Sequence, residues 1–265
     1  MHYVNKAFPD MASLLDYAQG PCDWPARERS SVNGKDKASA GASREQADAL
    51  ARFGWIEGAE RLHKAIIAPP GRAPRRVWRN DCPGETLDVT AFVSRSAPPF
   101  LDRQKRSRGR KVVNVTVPGC YPWSIPAADV EAYFAGLCSL VVALQEQGVR
   151  VGLTVEWSTR VDDETWTVSA VVKRPEESLQ PASIAFAVAH AAALRRIVFA
   201  AYEVATPWAK AQKGFRTFYG YPTTTTLPGS IAAPACRAET VRDCKASPVQ
   251  YWEEWWRKAS ATGEV

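Results

Sequence analysis

Histidine is scarce in this chain and metal-ligand spacing is missing from it. Three histidines, His2, His63 and His190, stand far apart, and six cysteines (Cys22, Cys82, Cys120, Cys138, Cys236, Cys244) include no C-x-x-C pair, the closest two being eight positions apart. This excludes a zinc framework. There is no G-x-x-x-x-G-K-[ST], no G-x-S-x-G, no H-E-x-x-H and no His-hydrophobe-His pair, so P-loop, α/β-hydrolase, zincin and nicking chemistries have no starting point. No cofactor, no metal and no catalytic residue are expected. Long apolar runs are also missing: the stretch 184–193 is broken by His190 and followed by Arg195 and Arg196, too soon for a membrane span. The opening MHYVNKAFPD has neither the basic nor the apolar region of a secretory signal, which leads to the expectation of a cytoplasmic protein with free thiols and no membrane partner.

What is present is an ordinary globular composition, 46% apolar and 23% charged over 265 residues, enough for one substantial core with appended segments. The charge is uneven. Eleven Lys and Arg stand between Arg72 and Lys111 against four acids, a net +7, whereas the whole chain carries +6. Basicity is therefore local.

Periodicity and capping signals give the elements. Residues 10–19 read as a helix with Asp10 as N-cap, and a second helix starts at Ser43, where S-x-x-Q forms a capping box with Gln46. A third follows Gly54. Between them residues 21–42, rich in Ser, Gly, Lys and Ala, read as an exposed linker. Residues 76–78 and 87–89 read as short strands joined by a Pro83-Gly84 turn. A β-branched strand at 111–119 precedes a helix at 127–147 stopped by Gly148. Residues 150–158 and 165–173 alternate apolar and polar around the turn VDDE, an antiparallel hairpin. One long helix is expected over 182–203. Residues 217–226 read as a loop or edge strand, and 232–245 show no clear period. Ser247, Pro248 and Gln250 open a last helix bearing Tyr251, Trp252, Trp255 and Trp256. The expected architecture is α/β: a single core at 71–230 with a mainly parallel sheet plus an antiparallel hairpin strand, flanked by helices. A helical N-terminal extension (1–70, linker at 21–42) precedes it and a tail with the tryptophan helix (231–265) follows.

Two resemblances add to this. The order strand, helix LCSLVVALQEQGV, strand RVGLTVEW and antiparallel neighbour between Lys111 and Pro175 resembles the opening of a von Willebrand factor A type domain. That family's Asp-x-Ser-x-Ser metal motif falls here on Asn114, Thr116 and Pro118, with no carboxylate, so the resemblance implies fold rather than a metal site. The segments SLLDYAQGP, REQADALARFGWIEGAERL, LRRIVFAAYE and FYGYP, spread over residues 13–222, resemble an uncharacterised family encoded by phages and plasmids. That implies a mobile genetic element and a host cytoplasm, or a virion, and supplies no catalytic residues.

The strongest functional signal is basic. In RQKRSRGRK, residues 103–111, six of nine side chains are cationic, and arginine's planar fork suits phosphate oxygens. Arg72, Arg75, Arg76, Arg79, Arg103, Lys105, Arg106, Arg108, Arg110 and Lys111 are the expected nucleic-acid contacts, phosphate-driven and salt-sensitive; a solvated loop is the bland alternative. No aromatic residue interrupts residues 103–111, so no stacking platform is indicated there. The competing class is a protein-interaction or virion component, or a self-associating one, acting through Trp252, Trp255 and Trp256 or the strand edge near Asn114. A more distant alternative is a metal-dependent nuclease built from Glu156, Asp162, Asp163 and Glu164 with Lys173. A core helix docking on its own domain is the plainer reading of the tryptophans, and a hydrogen-bonded core imidazole that of His190.

Overall fold

The computed structural model describes residues 2–32, 41–65, 76–81, 86–87, 100–105, 111–122, 124–161, 164–208, 221–223, 227 and 229–261. Its centre is a mixed sheet. Strand β5 (Val112–Pro118), helix α4 (Ala127–Glu146) and strand β6 (Arg150–Val161) form a parallel crossover unit, and β6 turns back antiparallel into β7 (Glu164–Lys173). β1 (His2–Phe8) adds in parallel to β7, and β9 (Ile231–Ala232) in parallel to β5, giving the order β1-β7-β6-β5-β9. A short strand β8 (Tyr221–Thr223) pairs with β6 at residues 158–160, beyond the end of β5. The α/β class and mostly parallel sheet agree with the alternation and helix signals of the sequence. No strand was expected before Asp10 or after residue 230; β1 and β9 come from the segments read as extension and tail, and both complete this same sheet.

Register sorts the side chains into two faces. Val113, Val115 and Val117 share one with Val151, Leu153, Val155, Trp157, Trp166, Val168 and Ala170, all buried. Helix α4 covers it together with α5 (Pro181–Ala189) and α6 (Phe199–Ala205), whose Tyr202 hydroxyl donates to the Trp157 carbonyl at 2.8 Å. The opposite face is polar and is buried too: Thr116, Glu156, Ser158, Thr167 and Ser169 are each 3% exposed or less. Ser158 donates its one hydroxyl proton to Glu156 Oε1 at 3.0 Å, so the 2.8 Å contact with Thr167 is donated by Thr167.

Helix α4 is apolar on nearly every side, with twelve of its twenty residues buried. By length and composition it could cross a membrane, but 67% of its most apolar window is buried inside the protein, the pattern of a core helix. On its outer side lie α7 (Ala238–Ala246), in a region where the sequence shows no period, and α8 (Pro248–Ala261).

Two expectations fail for tertiary reasons. The long helix over 182–203 is broken at His190, whose extended backbone (φ −90°, ψ 121°) separates α5 from a π-helical turn, Ala193–Val198, and α6; the two halves differ in direction by 70°. The bend lets α5 pack on α3 (Ile56–Ala65) while α6 packs on α1 (Met11–Ala18). The supposed linker is also anchored at both described ends. Glu203, fully buried, accepts from the Ser31 backbone at 3.0 Å, from the Ser31 hydroxyl and from Arg29 at 3.2 Å. Buried Arg196 donates to the carbonyls of Ser30 and Ala42, both at 3.1 Å, and the Trp24 indole donates to Thr206. Residues 33–40 of that segment lie outside the described residues. The caps themselves fall where the sequence puts them: Asp10 accepts from the Ser13 N–H at 2.8 Å, and Ser43 and Gln46 form their reciprocal box at the start of α2 (Arg44–Phe53).

Candidate functional site

The basic segment builds a second, three-stranded sheet. β2 (Arg76–Asp81) and β3 (Thr86–Leu87) both pair antiparallel with β4 (Phe100–Lys105), which lies between them. The two outer strands therefore do not form the hairpin expected from Pro83-Gly84. Arg103 and Lys105, expected in a loop, are strand residues. The register opposes Arg76 to Lys105 and Trp78 to Arg103. Cross-strand partners and positions two apart share a face, so Arg76, Trp78, Arg103 and Lys105 occupy one face of this sheet. Arg79 is opposite Asp102, on the other face. Lys111 is exposed immediately before β5. Arg72, Arg75, Arg106, Arg108 and Arg110 lie outside the described residues. The sequence reading found no aromatic within residues 103–111; the pairing supplies one, Trp78, from a strand more than twenty positions earlier.

The tryptophan helix divides its residues differently. Trp252 is fully buried, its indole donating to the Tyr133 carbonyl at 3.0 Å and its ring 5.0 Å from that of Tyr133. It is a core residue rather than a partner anchor, because α8 docks this edge on α4. A Cβ at Gly136 would come within 2.5 Å of the Trp252 ring, so α4 needs a glycine there. Trp255 and Trp256 are half-buried.

The hairpin register does not bring Glu156, which lies opposite Ser169, together with Lys173. That residue sits opposite Leu153, at the far end of the hairpin from the turn, and its buried ammonium donates to the carbonyls of Val151 (2.6 Å) and Arg174 (3.1 Å). Asp162 and Asp163 lie outside the described residues. Thr116 is buried and shares a 2.6 Å hydrogen bond with Ser230, while Asn114 is exposed. Among the described residues no group of three or more His, Cys, Asp or Glu could hold a metal ion. Burial pushes the thiols of Cys120 and Cys138 up to about 12, so neither is a thiolate nucleophile near neutral pH.

A cavity of about 490 Å³ opens where β5 ends, α4 begins and the helix breaks at His190. Sequence reasoning missed it. Its apolar wall includes Trp55, Tyr121, Ile125 and Leu194, and its polar groups include His190, Arg195 and Glu131. The Ala192 N–H donates to His190 Nδ1 at 3.1 Å, and the imidazole packs edge-on against Trp55 at 4.6 Å. Burial holds the His190 pKa below the usual histidine value, with Arg61 lowering it further and Glu131 opposing, so the ring is neutral at pH 7 with its proton on Nε2. Glu131 is held by a two-pronged contact from Arg61 at 2.7 and 3.0 Å, and that guanidinium lies 4.7 Å over the Trp55 ring. The one available sequence signal was His190 inside AVAHAAA, whose plainer reading is a hydrogen-bonded core imidazole.

A protein-family model described as Domain of unknown function (DUF7192) matches residues 2–245. No curated protein and no solved structure matches the chain.

Proposed function

For this chain, which belongs to the family described as Domain of unknown function (DUF7192), we propose a non-catalytic nucleic-acid-binding role carried by the basic face of the three-stranded sheet. The observation that carries the reading is the register that sets Arg76, Arg103 and Lys105 on one face with Trp78. Three cations spaced along paired strands follow a phosphate backbone, and an aromatic position among them adds base stacking, which a purely phosphate-driven loop lacks. The local excess of +7 between Arg72 and Lys111 supplies the attractive field. The resemblance to phage- and plasmid-encoded chains belongs to the same proposal. In this reading the protein acts on mobile-element nucleic acid in a host cytoplasm, with a von Willebrand-like opening of the core as scaffold.

The test is fluorescence anisotropy with labelled single- and double-stranded DNA and RNA across a salt titration. Replacing Arg76, Arg103 and Lys105 with Glu abolishes binding, and neutralising the three to Gln lowers the slope of log affinity against log salt by roughly 2 to 3. Trp78→Ala weakens single strands by about 1–3 kcal/mol and leaves duplex binding nearly unchanged. Binding that the triple variant retains, or no binding by the wild type at low salt, overturns the proposal and directs attention to protein partners of Trp255 and Trp256.

A further inference from the structure

We infer a second, separate site: the cavity between the end of β5, the start of α4 and the break at His190 binds an uncharged aromatic molecule that carries a hydrogen-bond acceptor. Its volume of about 490 Å³ lies in the range of small-molecule pockets, and its make-up, apolar walls with a few polar groups, is theirs too. It stands at the carboxyl end of β5, which pairs in parallel on both sides, the place where open α/β sheets bind ligands. One wall runs into the π-helical turn Ala193–Val198, a distortion frequent at functional sites.

The aromatic part of the ligand follows from a wall that is already built. Trp55, just before α3, lies back over Gly58, where a Cβ would come within 2.1 Å of its ring. The Arg61 guanidinium lies 4.7 Å over that ring, and the His190 imidazole meets it edge-on at 4.6 Å. Tyr121 is fixed as well, because its hydroxyl donates to the Ala189 carbonyl at 3.0 Å. Rings held in this way, with Ile125 and Leu194 beside them, suit a flat ligand that packs offset or edge-on.

The polar part follows from which groups are already matched. Both Glu131 oxygens accept from Arg61, at 2.7 and 3.0 Å, and Arg195 has a partner of its own. The charged groups of the lining are thus engaged within the protein, and a charged ligand gives up hydration there without gaining an unpaired counter-charge. His190 differs. Its Nδ1 accepts from the Ala192 N–H at 3.1 Å, so the neutral ring carries its proton on Nε2, and among the described residues that N–H has no acceptor. A carbonyl oxygen or ring nitrogen of the ligand supplies one.

The experiment is isothermal titration calorimetry of the full chain near neutral pH with two matched pairs of probes. Acetophenone is compared with ethylbenzene, which keeps the ring and loses the carbonyl oxygen, and indole-3-acetamide with the charged indole-3-acetate. At least one of the two neutral acceptors binds. In whichever pair binds, the neutral acceptor is the tighter, by about fivefold or more over the hydrocarbon and about tenfold or more over the carboxylate. His190→Phe lowers the affinity for the neutral acceptor by about fivefold or more, whereas His190→Gln, which keeps a side-chain N–H donor, retains most of it. Ala127→Trp, at an exposed lining position on the first turn of α4, blocks binding while leaving the melting temperature close to wild type. Any of the following overturns the inference: no heat with either neutral acceptor at millimolar concentration, a hydrocarbon or carboxylate that binds as tightly as its matched acceptor, or undiminished binding by a folded His190→Phe or Ala127→Trp variant. None of these results depends on the nucleic-acid face.

Discussion

Along β6 alternate residues point to opposite faces of the main sheet, and the two faces are buried with opposite chemistry. Val151, Leu153, Val155 and Trp157 meet a layer of helices, and their stabilisation is the non-directional removal of hydrocarbon from water. Glu156 and Ser158, with Thr167 and Ser169 across the hairpin, are equally withdrawn from solvent yet consist of hydroxyls and a carboxylate. Burial there is tolerated where each polar group finds a partner, as in the chain Thr167 to Ser158 to Glu156. The comparison teaches that an alternating strand reports which face is apolar, and does not report whether the polar face stays wet.

The comparison can be broken first on the hydrocarbon side. Trp157→Ala, at a fully buried position, lowers stability by about 3–5 kcal/mol in urea unfolding; a loss below about 1 kcal/mol shows that the apolar face is not the main core. On the polar face Ser158→Ala leaves Glu156 and Thr167 each short of one partner and costs about 1–3 kcal/mol. If Ser158→Ala is neutral, water reaches that face. The smallest effect is on pH. Burial raises Cys120, Cys138 and Cys236 to about 12 and Cys244 to about 11, from an ordinary 9.0. Above pH 9.0 the unfolded chain then holds fewer protons than the fold, so this stability is complete below pH 9.0 and is lost as pH rises toward 11–12. Lys173 acts oppositely, since burial lowers its pKa from 10.5 against the pull of Glu177 and Glu176, but it is one group against four thiols. Urea midpoints fall between about pH 8.5 and about pH 10.5, and Cys138→Ala makes the fall shallower; a rising profile gives Lys173 the larger part.

Local signals were legible wherever a single turn or period decides the outcome. Asp10, the Ser43 and Gln46 box, Gly148 after α4 and the hairpin alternation all appear where expected, because caps and alternation act within a few residues. The helix break at His190 was invisible: AFAVAHAAALRRIVFAAYE has neither proline nor glycine, and the 70° change of direction follows from α3 and α1 drawing its halves apart. Residues 21–32 looked like linker because their composition is polar, yet the partners that fix them, Arg196 and Glu203, lie more than 160 positions away. The basic residues were visible as charge, and their division between two faces was not.

The sequence by itself determined the α/β class, the strand and helix of the β5–α4–β6 unit, and the concentration of positive charge between Arg72 and Lys111, since each is written in neighbouring residues. Only the tertiary structure decided that β1 and β9 complete the sheet, that Trp252 belongs to the core, that Trp78 shares a face with Arg103, and that a cavity forms beside His190. The reason is physical. Strand pairing, ring packing and cavity walls join groups distant along the chain, and the residues at each end carry no local mark of which partner they will meet.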